Sequence, residues 1–439
     1  RSASLGSSSG SGVSVSTNMV MASLGEETRM STRGPSNHNA IALVLPHKAM
    51  LGFDGGAIGA DIYCDRTGVM AKTLDDCACI LDALRDEKGG YYDPRDPYTT
   101  VPRSSYPPPE GLVAHLATSS IFESLKGKRI GVIRESMLDP GDTLAVKPIV
   151  RAVSKEIKEV LGKKLGLELV ESRHRHWRPD TELQQMTTSF SEALARLVPV
   201  FMPDILFRLG LNGQPVFPDF VEAIRPTEFQ PGKIFGSGDL APIDYLVALS
   251  DLRIPAPQNL DLATVQEQIL ANTFRFHISQ YLRRRAEDWQ RWGITETLTS
   301  WTELNKRSSF WGDDQRAAFL NWEETTDPRN PLGGRQGVDE RIMLRELLRR
   351  VDMMVLHENN LEAFVRVHTV LPPARIGYPE EPGLARHYFF ESFHGPNAGL
   401  TEILVPAGFV KEVCDADFVL APDRKSYSSK PGVALAPIE

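Results

Sequence analysis

The chain has 439 residues, of which 41% are hydrophobic, 24% charged and 8% aromatic, with a formal net charge of −8 and a sequence pI of about 5.8. That composition supplies a substantial core and excludes a chain disordered throughout, while the acidic balance argues against a nucleic-acid partner and for a small-molecule one. No run of about 18 apolar residues occurs that could span a bilayer.

Four cysteines, Cys64, Cys77, Cys79 and Cys414, lack paired CxxC spacing and are too few to staple a chain of this length. They read as reduced thiols, which favours a cytoplasmic setting. The start at Arg1, a few residues before the first motif, reads as a processed or partial chain. Oligomeric state is left open, a homodimer being one option.

In chain order, a Gly/Ser loop over Gly6–Gly12 precedes Val13–Leu24, whose small and apolar side chains predict a closely packed helix. A second loop over Gly25–Ser36 carries Ser31. Ala40–Leu45 predicts a short buried strand stopped by Pro46, and Thr73–Arg85 an amphipathic helix with a Thr73 cap and Asp76 three residues on. Residues 89–111 form a proline-rich connector that can propagate neither a helix nor a central strand. Lys128–Arg134, Val146–Leu165 and Leu167–Glu171 read as strand, helix and strand, a βαβ unit with a parallel pair. Helical patterns run from Asp180 to about Phe276, broken by the loop Phe235–Pro242, with further helices at His277–Trp292 and Asp339–His357. Leu361–Val370 and Ile403–Val405 read as buried strands, and no repeat at solenoid periods is present.

The two serine loops carry the chemistry. A serine hydroxyl is a weak nucleophile near neutral pH, so acyl transfer needs a base for its proton and donors for the developing oxyanion. The bland readings of Gly6–Gly12 are a flexible linker and a phosphate cradle, although no Gly-Lys-Ser/Thr ending follows.

Three later segments decide between these readings: Asp65-Arg-Thr-Gly-Val-Met-Ala-Lys-Thr-Leu-Asp-Asp76, Leu125-Lys-Gly-Lys-Arg-Ile-Gly-Val132 and Asn397-Ala-Gly-Leu-Thr-Glu-Ile-Leu-Val-Pro-Ala-Gly408. With the two serine loops they occur in the order of the amidase signature family, which the chain resembles along nearly its whole length, most weakly between Ser172 and Gln336 and without the family's lysine-bearing N-terminal part or its closing C-terminal strands and helix. The resemblance implies an α/β fold with a large mixed β-sheet sandwiched between helices, and hydrolysis of a carboxamide C–N bond without metal or organic cofactor. It places the nucleophile at Ser31 and the bridging serine, on a cis peptide bond, at Ser7. The base is a lysine expected upstream of Ser7, beyond the start of this sequence, whose residues 1–6 contain none. The oxyanion donors are the backbone amides of Thr28, Arg29, Met30 and Ser31, with Ser8, Glu27 and Arg33 supporting the loops. Where the family prefers Gly-Gly this chain has Arg29-Met30, and a side chain at positive φ costs about 1 kcal/mol or more per residue. Glu27 stands where the family usually has Asp.

The implied organisation is a core with nucleophile loops and connector over 1–135, a helical, variable substrate-binding region over 136–360, and a return to the core sheet over 361–439, all as one structural unit. A reading from a different class is a pseudo-amidase that keeps the scaffold and acts as a binding or scaffold protein. A third is glutamine-dependent amide transfer within a larger assembly.

Other candidates carry less. Lys48, the nearest lysine after Ser31, has only sequence proximity to suggest it as a base. His174 and His176 alternate as on a strand but lack a third metal ligand and are flanked by arginines. Arg283, Arg284 and Arg285 beside Trp289 and Trp292 read as a solvated helix face, the loop Gly236–Asp239 equally as a pocket lining or a turn capping a helix at Asp239, and Cys77 and Cys79 as packing residues of the Thr73 helix.

Overall fold

The computed structural model describes residues 4, 6–28, 30–53, 65–85, 90–94, 96–106, 110–117, 121–137, 147–173, 179–210, 212–218, 241–257, 259–267, 274–295, 298–310, 312, 338–370, 373, 398–414, 418–420, 427–429 and 435–437. The fold is α/β, with mixed β-structure flanked by helices, as expected. Among the described residues its longest ladders form one antiparallel and one parallel section of four strands each.

The antiparallel section holds the serine loops. Helix α1 (Ser9–Ser16) leads into β1 (Ala22–Glu27), followed by α2 (Arg33–His38), β2 (Ala42–Leu45) and β3 (Arg66–Ala71). The helix predicted over Val13–Leu24 therefore ends at Ser16, residues 17–21 turn, and only its last three residues, from Ala22, are strand. Local chemistry explains the break. Ser14 Oγ donates to the Ser11 carbonyl and Thr17 Oγ1 to the Val13 carbonyl, a side-chain competition with the helical ladder. Asn18 then takes a left-handed conformation at φ 62°, which asparagine tolerates better than most residues.

β1 pairs with β3 from Ala22↔Ala71 to Glu27↔Arg66, β3 with β2, and β2 with β8 (Glu402–Leu404) through Leu43↔Leu404. Period-two alternation along β2 sends Leu43 and Leu45 to one face, where they pack with Val15 of α1 and Met70. Ala42 goes to the other face, with Val69, Ala71, and Cys77 and Leu81 of α3 (Leu74–Leu84). The predicted cap is present: Thr73 Oγ1 accepts from the Asp76 N–H at 3.1 Å. Cys77 is buried and Cys79 exposed, and burial pushes the Cys77 thiol up to about 11.

Two short helices, α4 (Leu112–Leu116) and α5 (Ile121–Leu125), precede β4 (Arg129–Val132). The βαβ unit follows. Helix α6 (Lys147–Glu156) continues as a π-helix over Ile157–Lys164 before β5 (Glu168–Glu171), which pairs parallel with β4. The expected helix is thus present with its second half wound wider. β6 (Gln184–Gln185) and β7 (Ala363–Val365) complete a parallel order β6-β5-β4-β7. β7 is shorter than the predicted Leu361–Val370 strand because the Val367 N–H turns to Ser136 Oγ at 3.0 Å and leaves the ladder.

The larger core lies on this section. Phe190, Leu194 and Val198 of α7 (Phe190–Phe201) pack with Leu347, Val351 and Val355 further along the chain. Ser189 and Glu192 form a capping box that starts α7. Helices α8 (Ala241–Ser250), α9 (Leu262–Glu267), α10 (Phe274–Arg291) and α12 (Val338–Glu358) match the helical reading of this region, whereas α11 (Trp301–Arg307) falls outside the ranges read as helical. In α10, Arg285 stacks on the Trp289 ring at 4.8 Å. His174, His176 and Gly236–Asp239 lie outside the described residues. The remaining strands form two short antiparallel pairs, Glu412–Cys414 with Leu435–Pro437 and Phe418–Leu420 with Tyr427–Ser429.

Candidate active site

β1 delivers the second serine loop, and the first lies along its outer edge. Ser11 Oγ donates to the Leu24 carbonyl at 2.9 Å, Ser8 Oγ donates to the Glu26 carbonyl at 3.2 Å, and the Glu26 N–H donates back to Ser8 Oγ at 3.2 Å. Serine hydroxyls therefore serve the strand edge where a neighbouring strand would otherwise pair. The approach requires Gly25, since a Cβ there would lie 2.8 Å from Thr32 Cγ2 and 2.9 Å from Ser8 Oγ. Gly12 does the same between α1 and α2, where a Cβ would meet Pro35 Cβ at 3.0 Å.

The loops meet directly. The Ser8 N–H donates to the Ser31 carbonyl at 3.0 Å, the Gly6–Ser7 peptide bond is cis, Ser7 is exposed, and Ser8, Thr28, Met30 and Ser31 are half-buried. Arg29 lies outside the described residues.

A buried ionic network fixes the far side of the turn. Glu27 and Arg33 are both fully buried. Glu27 Oε2 accepts from the Thr32 N–H and hydroxyl, both at 2.6 Å, and from the Arg33 N–H at 3.2 Å, while Oε1 accepts from Arg33 Nε at 2.8 Å. Arg33 continues to Glu402 at 3.3 Å, and Arg366 donates to Glu402 at 2.7 Å. Although burial opposes its charge, Glu402 and Glu27 hold the Arg33 guanidinium above its ordinary value. Burial also opposes ionisation of Glu402, but Arg33 and Arg366 bring its carboxyl down to about 2. His368 is buried beside this network, and desolvation, then Arg33, hold it well below the usual imidazole range, so it stands neutral.

Glu27 thus occupies the Thr32 and Arg33 amides, Gly34 N–H goes to the Met30 carbonyl at 2.9 Å, and the N–H groups of Met30 and Ser31 meet no acceptor among the described residues. Among the described residues those two amides are unoccupied donors on the turn that carries Ser31. Lys48 is committed elsewhere, buried in an ion pair with Asp96. Among the described residues no group of three or more His, Cys, Asp or Glu side chains could hold a metal, and no helix is long and apolar enough to cross a membrane.

Thr32, Ser8 as a strand-edge partner, Glu402 and Arg366 escape the sequence reading. The available signal was a carboxylate opening the apolar run Glu402-Ile-Leu, an uncommon occupant of a strand unless a cation meets it.

Fold and site together define an α/β protein in which two serine loops converge on one braced turn. A family model described as Amidase matches residues 3–231, just over half of the chain, and the chain belongs to that family. A probable amidase of Arabidopsis thaliana is 35% identical over 136 residues, 30% of this chain and 24% of that protein. A component of the glutamyl-tRNA(Gln) amidotransferase of Neisseria meningitidis is 32% identical over 130 residues, 30% of this chain and 24% of that protein. The matched segments thus span about a quarter of these curated relatives. Among solved structures, an amidase family protein from Bacillus anthracis superposes with a TM-score of 0.49 at 17% identity, covering 93% of this chain and 55% of that one.

Proposed function

We propose that the chain carries an amidase site that cleaves a carboxamide C–N bond through an acyl-enzyme on Ser31. Ser31 Oγ attacks the carbonyl carbon, its proton passes through Ser7 to a base that the resemblance assigns to a lysine upstream of the given sequence, whose residues 1–6 hold none, and the C–N bond breaks as the amine leaves with a proton. Water then cleaves the acyl ester and restores the serine. The open Met30 and Ser31 amides are the oxyanion donors, joined by the Thr28 and Arg29 amides in the family pattern, and removing one such donor in a serine hydrolase costs about 2.7–4 kcal/mol of transition-state stabilisation. The partner is a small-molecule amide, and neither metal nor organic cofactor enters the chemistry.

One observation carries this reading: Ser8 ties the first loop to the Ser31 carbonyl while Glu27 draws off the Thr32 and Arg33 amides, leaving donors beside the serine. Release of ammonia or amine from a panel of carboxamides tests it, with Ser31→Ala and Ser7→Ala as controls. Turnover abolished by Ser31→Ala is the expected result. Turnover unchanged in that variant contradicts the assignment, and a folded protein that binds amides without cleaving them favours the pseudo-amidase reading.

A further inference from the structure

A cleft of about 760 Å³ opens on the parallel section, between the helix that joins β4 to β5 and the edge formed by β5 and β6. Its size falls in the range of about 300–1,000 Å³ typical of small-molecule sites, and no residue of the serine loops lines it. The helical wall recurs every four residues from Val150 to Lys163. In an α-helix of 3.6 residues per turn such a series drifts steadily round the axis. The wider i→i+5 winding over Ile157–Lys164 turns it back, so one face borders the cleft along both halves. Gly162 keeps that face close to the sheet, since a Cβ there would lie 3.3 Å from Leu169 Cδ1. The floor is apolar, formed by Leu167, Leu169 and Leu183.

The charges round this floor divide by what they already hold. Glu159 is paired with Lys163, Glu182 with Lys158 and Glu168 with Arg129, so all three carboxylates of the lining are engaged. Arg151 and Lys155 differ. Both are exposed, they stand four residues apart on one face of α6, and neither side chain makes a hydrogen bond or ion pair among the described residues. Lys155 acts on Glu159 only as a charge at longer range. The uncommitted charge of the lining is therefore wholly cationic and lies beside an apolar floor.

We infer that this cleft binds an amphiphilic carboxylate, its head between Arg151 and Lys155 and its aliphatic body over Leu167, Leu169 and Leu183. The two oxygens of a carboxylate match the donor fork of a guanidinium, and the glutamates at the rim disfavour a head of higher negative charge. Burial of the body stabilises the complex in proportion to the apolar area removed from water, while the two cations select the head. A neutral amphiphile gains only the first of these, and a cationic one is repelled. The site lies on a different section from Ser31 and does not depend on the proposed function.

Calorimetric titration of the whole chain with octanoate, octanol and octylammonium tests this in wild type, Arg151→Gln/Lys155→Gln and Arg151→Glu/Lys155→Glu. Octanoate should bind wild type about tenfold more tightly than octanol, the amount that two partly exposed ion pairs supply together. Replacing both cations by glutamine should bring octanoate to the octanol level and leave octanol unchanged. Raising salt from about 0.05 to about 0.5 M should narrow the same gap in wild type by screening. The double glutamate variant should reverse the preference and take octylammonium ahead of octanoate. Both positions are exposed, so the urea midpoint of each variant should stay close to that of wild type, which separates lost binding from lost folding. Octanoate binding that is absent from the folded wild type, equal to that of octanol, or unchanged in the double glutamine variant would overturn the inference.

Discussion

Glu27→Ala is the perturbation that most directly probes how the turn is held. The substitution removes the acceptor of the Thr32 N–H and hydroxyl and of the Arg33 N–H and Nε, in a place from which water is excluded. Removing one partner of a buried ion pair costs about 3–5 kcal/mol, and a buried donor left without an acceptor costs about 1–3 kcal/mol. These costs do not add within one network, and Glu402 still lies 3.3 Å from Arg33. The expected loss is therefore about 4 kcal/mol in total, a large share of the roughly 5–15 kcal/mol that stabilises a typical domain. Urea unfolding measures it, with Glu27→Gln as a milder variant that keeps an acceptor while losing the charge. Glu27→Ala/Arg33→Met removes the stranded guanidinium as well and should be more stable than Glu27→Ala alone. A Glu27→Ala protein within about 1 kcal/mol of wild type, inside the range of ordinary surface changes, would refute the reasoning.

Gly25→Ala forces a Cβ to within 2.9 Å of both Thr32 and Ser8; overpacking of this kind costs about 1–3 kcal/mol, and the same variant should slow labelling at Ser31 by displacing Ser8. Thr73→Ala removes the cap of α3 and should cost about 1 kcal/mol in urea unfolding, by loss of the acceptor for Asp76 N–H. Burial, then Arg66 and Arg349, lowers His47 from 6.5 to about 4, and its Nδ1 accepts from the Ala49 N–H at 3.2 Å. A folded value below the unfolded one means that stability present above pH 6.5 is lost as pH falls toward 4, so thermal unfolding of His47→Gln should be less pH-sensitive across that window. Glu402, depressed to about 2, acts lower: its contribution is present above its ordinary value of 4.5 and lost as pH falls toward 2, and Glu402→Gln should flatten the acid limb there.

Elements written into local chemistry were legible in the chain. Thr73 with Asp76 marks a helix start whatever surrounds it, the apolar run before Pro46 has few alternatives to a buried strand, and the βαβ unit follows from periodicity and loop length. Serine-rich stretches are different because hydroxyls satisfy backbone groups of several conformations. Val13–Leu24 therefore reads as one helix, although Asn18 turns the chain and the edge of β1 needs Ser8 and Ser11 as partners. The site divides the same way. Glu27 and Arg33 lie six residues apart in one motif, so their brace is local, whereas Glu402 reaches Arg33 across 369 residues through the pairing of β2 with β8, which no local pattern specifies.

Exposure of the folded chain to a fluorophosphonate, beside Ser31→Ala, with the adduct located by peptide mass spectrometry, tests the central claim most directly. The account predicts an adduct confined to Ser31, lost in Ser31→Ala and weakened when Gly25 or Glu27 is replaced. An adduct that persists in Ser31→Ala, or a folded chain that takes up none, would contradict the assignment of Ser31 as an activated nucleophile.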